Sequence, residues 1–179
     1  AAMLNLNRRH CLLGLLALGG CAQLPTPKPV LSNALFRVNG RFQVRHPPPL
    51  LTGSFVWTHF ADYDRWDVYS PLQTWLATLT QSANLSTIQL ANGQQDQAPS
   101  ASILSERWLG IALPLLGMPW WLQGIPMPEK PFVTHARGFS QEDWDVQIVG
   151  WLETSPQRPR ELLLTHPALV IRCLLSDWE

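Results

Sequence analysis

Phe36-Arg-Val-Asn-Gly-Arg-Phe-Gln-Val-Arg45 alternates strictly: Phe36, Val38, Gly40, Phe42 and Val44 share one side, and Arg37, Asn39, Arg41, Gln43 and Arg45 share the other. A repeat of two is the period of a β-strand with one buried face. His46-Pro-Pro-Pro49 ends it, because proline cannot donate to a sheet ladder. Moving outward, Leu51 to Phe60 reads as a second strand, with Gly53, Phe55 and Trp57 on one face. A third is expected from Arg65 to Tyr69, after the turn-prone Ala61-Asp-Tyr-Asp64. Pro71 interrupts. A fourth is expected from Thr74 to Thr80, with Trp75, Ala77 and Leu79 on one face, and a fifth from Leu85 to Leu90. Asn92-Gly93 then gives a strong hairpin-turn signal.

The middle of the chain changes period. Ser100 to Leu109 has helical spacing, with Ile103, Leu104 and Trp108 apolar, Ser100 or Ser102 as N-cap and Gly110 as terminator. Leu113 to Gly124 reads as a second short helix that Pro119 kinks or starts, followed by the loop Ile125-Pro-Met-Pro128. Strand alternation resumes at Trp144 to Val149. Glu161–His166 and Ala168–Leu175 read as a closing hairpin across His166-Pro167. Strands at short intervals with one helical excursion predict a mainly β (α+β) domain, an antiparallel sheet curled around its helices.

The N-terminal end reads as an address. Asn5 to His10 carries Arg8 and Arg9. Cys11 to Leu18 is an apolar run too short to span a membrane, where roughly 20 residues are needed. It ends in Leu18-Gly19-Gly20-Cys21, which resembles the bacterial lipobox, whose cysteine receives a diacylglycerol. An ordinary secretory signal with a chance cysteine is the alternative. The organisation expected is a lipoprotein signal peptide over 1–20, a lipid-anchored tether over 21–33 containing Pro25, Pro27 and Pro29, and one domain over 34–179. Ala22 follows the cysteine. Gram-negative lipoproteins kept in the inner membrane typically carry aspartate there, so the reading points to the outer membrane, facing the periplasm.

Composition narrows the function. Thirteen basic and thirteen acidic side chains balance, with no basic stripe, so nucleic acid is not the expected partner. The histidines are scattered without metal-ligand spacing. Asp62, Asp64 and Asp67 lack the glycine and terminal glutamate of a calcium loop and read as a solvated turn. No nucleophile elbow, zinc-protease motif or phosphate loop is present. Cys11, Cys21 and Cys173 show no paired spacing, and Cys173 reads as a buried apolar thiol. Nine tryptophans stand against two tyrosines, a bias that suits apolar cavities and membrane interfaces as well as a plain core.

Several segments in order resemble the LolB family of lipoprotein-sorting receptors. They are Asn39-Gly-Arg-Phe42, then Gly53-Ser-Phe-Val-Trp57, then Ser70-Pro-Leu-Gln73, where the family usually has Pro-Leu-Gly. Leu113-Pro-Leu115 follows, with Trp121-Leu-Gln-Gly124 and a proline-rich loop, then Phe139 with Trp144 and Val146, and finally Asp177-Trp178. The resemblance implies an open antiparallel β-barrel wrapped around short helices, with a hydrophobic cavity for acyl chains. It implies no enzymatic activity, and no cofactor or metal beyond the N-acyl diacylglycerol on Cys21. It further implies a monomer that takes acylated lipoproteins from a LolA-like periplasmic carrier and places them among outer-membrane phospholipids.

Residue roles follow from the same resemblance. A loop carrying an exposed leucine needed for membrane insertion falls on Pro71 and Leu72, with Trp75 as an interfacial helper; Gln73 in place of glycine loosens the expected turn. Phe42, Phe55, Trp57, Trp66, Leu79, Trp121, Leu122, Trp144 and Ile148 are the candidates for cavity lining or lid. Alternation alone does not say which face is inside, so any of them is equally readable as core. Two other readings stay open: a periplasmic carrier for another amphiphile, and a structural lipoprotein with a filled barrel.

Overall fold

The computed structural model describes residues 33–45 and 50–179. The expected signal peptide, Cys21 with nearly all of the tether, and the His46-to-Pro49 break lie outside the described residues. A first antiparallel meander runs through β1 (Ala34–Arg45), β2 (Leu50–Phe60), β3 (Tyr63–Tyr69), β4 (Trp75–Ser82), β5 (Ser86–Leu90) and β6 (Gln95–Ala98). Two helices follow, α1 (Ala101–Leu109) and α2 (Met118–Trp121). A second meander comprises β7 (Phe132–His135), β8 (Gly138–Gln141), β9 (Trp144–Leu152), β10 (Arg158–His166) and β11 (Leu169–Ser176).

The two meanders become one sheet because β11 returns to pair with β1, giving the order β6-β5-β4-β3-β2-β1-β11-β10-β9-β8-β7. Strands β6 and β7 are its edges and do not pair with each other, so the sheet is open. The intrinsic right-handed twist of strands makes so wide a sheet curl. Helix α1 packs against β4, β5 and β6. The fold is the mainly β, open antiparallel architecture with short helices expected from the sequence.

The alternation of β1 sets the inner face. Val38, Gly40, Phe42 and Val44 point inward, and Leu175, Cys173 and Ile171 oppose Gly40, Phe42 and Val44 across the ladder. Val38, Trp57, Leu104, Val146, Leu162 and Leu164 form the most deeply buried part of the core. At about 25 cal/mol per Å² of apolar surface removed from water, this inward face is the main source of stability.

Several expectations are corrected. Strands β6, β7 and β8 were not expected; each is four residues long, too short for a period to show. Strand β3 begins at Tyr63, so Asp64 is a strand residue whose side chain is buried, not part of a solvated turn. Of Leu113–Gly124 only Met118–Trp121 is α-helical, because Pro114 and Pro119 remove backbone donors; Gly124 at φ +80° ends the segment. Ser100, not Ser102, caps α1, accepting from the Ile103 N–H, and Gly110 closes it in the left-handed conformation at φ +71°.

Ser102 has a different task. Its hydroxyl donates to the Leu113 carbonyl at 2.8 Å, while the Leu113 N–H donates to the Ser105 hydroxyl at 2.9 Å. One turn of α1 thereby satisfies both backbone groups of Leu113 and fixes the segment that leaves the helix.

Candidate functional site

The inside of the curled sheet is half hollow and half solid. The hollow half is a cavity of ≈ 360 Å³ between α1, the segment after it and the inner faces of β1 to β5 and β11. That volume falls in the range of small-molecule sites, roughly 300–1,000 Å³. Phe42, Phe55, Trp66 and Leu79 form its sheet wall; Leu104, Trp108, Leu113 and Met118 form its helical wall. Leu76 and Leu109 line the cavity yet remain 44% and 50% exposed, which places them at its mouth.

The cavity offers almost nothing to a polar ligand. Ser105 lines it, but its hydroxyl is engaged by the Ser102 carbonyl and the Leu113 N–H. The Trp108 indole N–H is turned away to Asp96 at 3.0 Å. Cys173 is fully buried in the wall, and burial pushes its thiol up to about 12. Among the described residues no group of three or more His, Cys, Asp and Glu is placed to hold a metal ion. Chemically the hollow suits an apolar group and not a polar or charged one.

Its depth depends on two glycines. Gly40 faces Phe55 and Gly53 faces Phe42 across the β1–β2 ladder. A β-carbon on Gly40 would come within 2.2 Å of the Phe55 ring; one on Gly53 would come within 2.9 Å of the Phe42 ring and 2.5 Å of the Tyr69 carbonyl. Each absent side chain lets a phenyl ring lie flat against the wall.

The remaining lining candidates stand elsewhere. Trp57 is completely buried behind the wall, stacked on Trp66 with centroids 5.1 Å apart and planes 4° from parallel. Its indole N–H donates to Asp64 at 2.6 Å, and the same carboxylate oxygen meets His59 Nδ1 at 2.8 Å. Trp121, Leu122 and Trp144 fill the solid half. The Trp121 N–H donates to Gln141, whose side chain also clasps both backbone groups of Met127 and so fixes the proline-rich loop. Ile148 packs beside Gly124. None of these five belongs to the lining: Trp57 is enclosed by Phe36, Trp66 and Trp178, and the other four pack with the second meander and the segment before it.

Sequence reasoning missed the helical wall. Ala101, Leu104 and Trp108 recur at helical spacing and face the cavity, whereas Ile103, singled out with them, is exposed. It also missed Leu76. A bulge between Val68 and Tyr69 breaks the alternation of β4, so Leu76 and Ala77 both reach the cavity.

The Ser70–Gln73 turn stands apart from the cavity wall. The Gln73 N–H donates to the Ser70 carbonyl at 2.9 Å, and the Ser70 N–H to the Thr74 carbonyl at 2.8 Å. Leu72 projects from the tip with 89% of its surface exposed. Gln73 occupies the left-handed region at φ +62°, where glycine is at ease, and its amide donates to the Ser54 hydroxyl at 3.2 Å. Trp75 is half-buried and directs its N–H back to Thr78 at 3.2 Å, away from the tip.

Known proteins share this sequence pattern. A family model described as "Outer membrane lipoprotein LolB" matches residues 34–178. The outer-membrane lipoprotein LolB of Chromobacterium violaceum is 28% identical, over 96% of this chain and 99% of that protein. The LolB of Thiobacillus denitrificans is 25% identical, over 91% and 92% respectively. A crystal structure of a LolA superfamily protein from Nitrosomonas europaea superposes with a TM-score of 0.47 at 6% identity, covering 83% of this chain and 86% of that one. With its family pattern running through essentially the whole described domain, this chain belongs to the LolB family of outer membrane lipoproteins.

Proposed function

We propose that this chain is an outer-membrane receptor that takes acylated lipoproteins from a LolA-like periplasmic carrier and inserts them into the inner leaflet of the outer membrane. It is held there by acyl groups on Cys21 and acts without catalysis or cofactor. The observation that carries this reading is the cavity of ≈ 360 Å³ with an apolar lining and an apolar mouth at Leu76 and Leu109.

The energetics support a passive relay. Burying an acyl chain gains about 0.8 kcal/mol per CH₂, so a long chain gains roughly 10 kcal/mol or more. No nucleotide-binding motif accompanies the cavity to drive release. Cargo therefore moves downhill, from a weaker acyl site in the carrier to a tighter one here and then to the bilayer. Leu72, at the tip of its turn, is the group that enters the leaflet as cargo leaves.

The test is direct transfer. A carrier loaded with a labelled lipoprotein is mixed with the chain carrying Cys21→Ala, and the label is followed by gel filtration. Cargo is expected to move to this chain, and an apolar fluorescent probe is expected to compete. A chain that binds neither cargo nor probe has no transport role of this kind.

A further inference from the structure

A groove on the convex side of the sheet, at the foot of the Ser70–Gln73 turn, has no part in holding acyl chains. Its volume is ≈ 440 Å³, and its lining includes Arg41, Gln43, Thr52, Pro71, Gln73 and Arg172. Strand parity puts these side chains outside: Arg41 and Gln43 alternate with inward Phe42, and Arg172 with inward Ile171 and Cys173.

The charges there are unbalanced. Arg172 sits opposite Gln43 in the β1–β11 ladder, so Arg41 is its diagonal neighbour at roughly 7–8 Å. The Arg41 guanidinium makes no hydrogen bond or ion pair with another described residue. Arg172 is already committed in part: its Nη2 and Nε both donate to the Glu161 carboxylate, at 2.7 and 2.8 Å. Asp177, toward the end of the same ladder, is engaged by Asn39 and Ser176. The Arg41 guanidinium, with the remaining Nη1 of Arg172 and the Thr52 hydroxyl in the same groove, forms a receptacle for an anion. Guanidinium suits phosphate because its planar fork donates two parallel hydrogen bonds.

Geometry selects which phosphate. Pro71 and Gln73, on either side of Leu72 and so each roughly 3.5 Å of chain from it, border the groove. The headgroup layer of a bilayer is about 5–7 Å deep on each side of the hydrocarbon. With the Leu72 side chain in hydrocarbon, the groove lies at headgroup depth. We propose that the Arg41–Arg172 groove binds the phosphate of a phospholipid headgroup and so seats the domain on the membrane while Leu72 is inserted. The assignment rests on the membrane role given above to Leu72, and the experiment separates the two.

The chain carrying Cys21→Ala, which cannot be acylated, is floated with two kinds of neutral vesicle: phosphatidylcholine, which presents phosphate, and digalactosyldiacylglycerol, which does not. Binding to phosphatidylcholine is expected to be roughly tenfold tighter, the scale of one charge-assisted hydrogen-bonded contact. Arg41→Ala with Arg172→Ala should erase that preference and leave galactolipid binding unchanged. Arg41→Lys with Arg172→Lys should restore part of it. Leu72→Glu should reduce binding to both vesicles. If the double alanine variant keeps the full preference while Leu72→Glu loses binding, the groove assignment is overturned and the Leu72 role stands. If Leu72→Glu binds like the parent, the Leu72 role is overturned, and the arginine variants still judge the groove. Inorganic phosphate, titrated at constant ionic strength without vesicles, separates the sources: a saturable millimolar shift of the Arg41 guanidinium resonance marks a free-anion site and overturns the headgroup assignment, whereas no shift supports it.

Discussion

Gly40 lies directly opposite Phe55 in the β1–β2 ladder, and a β-carbon in its place would come within 2.2 Å of the Phe55 ring. The pair joins fold to function, since Phe55 is at once a core residue and a wall of the cavity. Gly40→Val forces that ring into the hollow. Overpacking of this kind costs about 1–3 kcal/mol, so the urea midpoint falls. Apolar-probe binding falls with it. A variant with lower stability and unaltered probe affinity would show that the ring moves elsewhere and that the glycine does not shape the cavity.

Leu72 makes the opposite prediction, a loss of function without a loss of stability. It is 89% exposed and packs against nothing that a polar side chain would disturb. Leu72→Glu should change stability by less than about 0.5 kcal/mol. It should leave receipt of cargo from the carrier intact and block release into liposomes. Normal release with this variant removes the turn from the mechanism.

The neighbouring Gln73 carries a stability prediction. At φ +62° a β-branched residue is a severe misfit, while glycine is not. Gln73→Val should destabilise by about 1–2 kcal/mol. Gln73→Gly should not fall below the parent by more than about 0.5 kcal/mol, because the exposed hydrogen bond to Ser54 that it loses is weak. The comparison is made by chemical denaturation. Parity of the valine and glycine variants would mean that the turn relaxes in solution.

What the sequence disclosed follows the length of each signal. Strand β1 carries ten residues of strict alternation, Phe36 to Arg45, and was readable at once, as were β2 and the β10–β11 hairpin. Strands β6 to β8 were invisible because four residues hold barely two repeats, and all four residues of β7 are exposed. Within the site, alternation grouped Phe42, Phe55 and Leu79 with the apolar face of their strands without saying that this face is the inner one. Periodicity gave no means to separate Phe55, which borders empty space, from Trp57, which is stacked on Trp66 two residues along the same face. That distinction depends on the rings of Phe36, Trp66 and Trp178 that enclose Trp57, a fact of three-dimensional closure. The Gln141 clasp on Met127 was likewise unreadable, since a lone glutamine in a short strand announces no buried network.

Asp64 shows how one overlooked carboxylate supports the solid end of the interior. It accepts the N–H of Trp57, which has no exposure, and meets His59 Nδ1. Asp64→Ala leaves the indole N–H buried without a partner, at a cost of about 1–3 kcal/mol. Asp64→Asn keeps an acceptor in place and should recover a large part of that loss. Thermal denaturation of the two variants tests the ordering. Equal midpoints would mean that the indole finds another acceptor.

Cys173 ties the cavity wall to alkaline pH. Burial raises its thiol from 9.0 to about 12 in the folded protein. The folded state therefore holds its proton more tightly than the unfolded chain does. Its contribution to stability is complete below pH 9 and is lost progressively as pH rises from 9 toward 12. Between pH 9 and pH 10.5 the expected loss is about 2 kcal/mol. Other groups titrate in the same window, so the comparison is made against Cys173→Ala, which begins less stable because it leaves a gap in the wall. The stability difference between parent and variant should shrink by that amount over the interval. A constant difference would mean that water reaches the thiol through the cavity, contrary to a dry apolar interior.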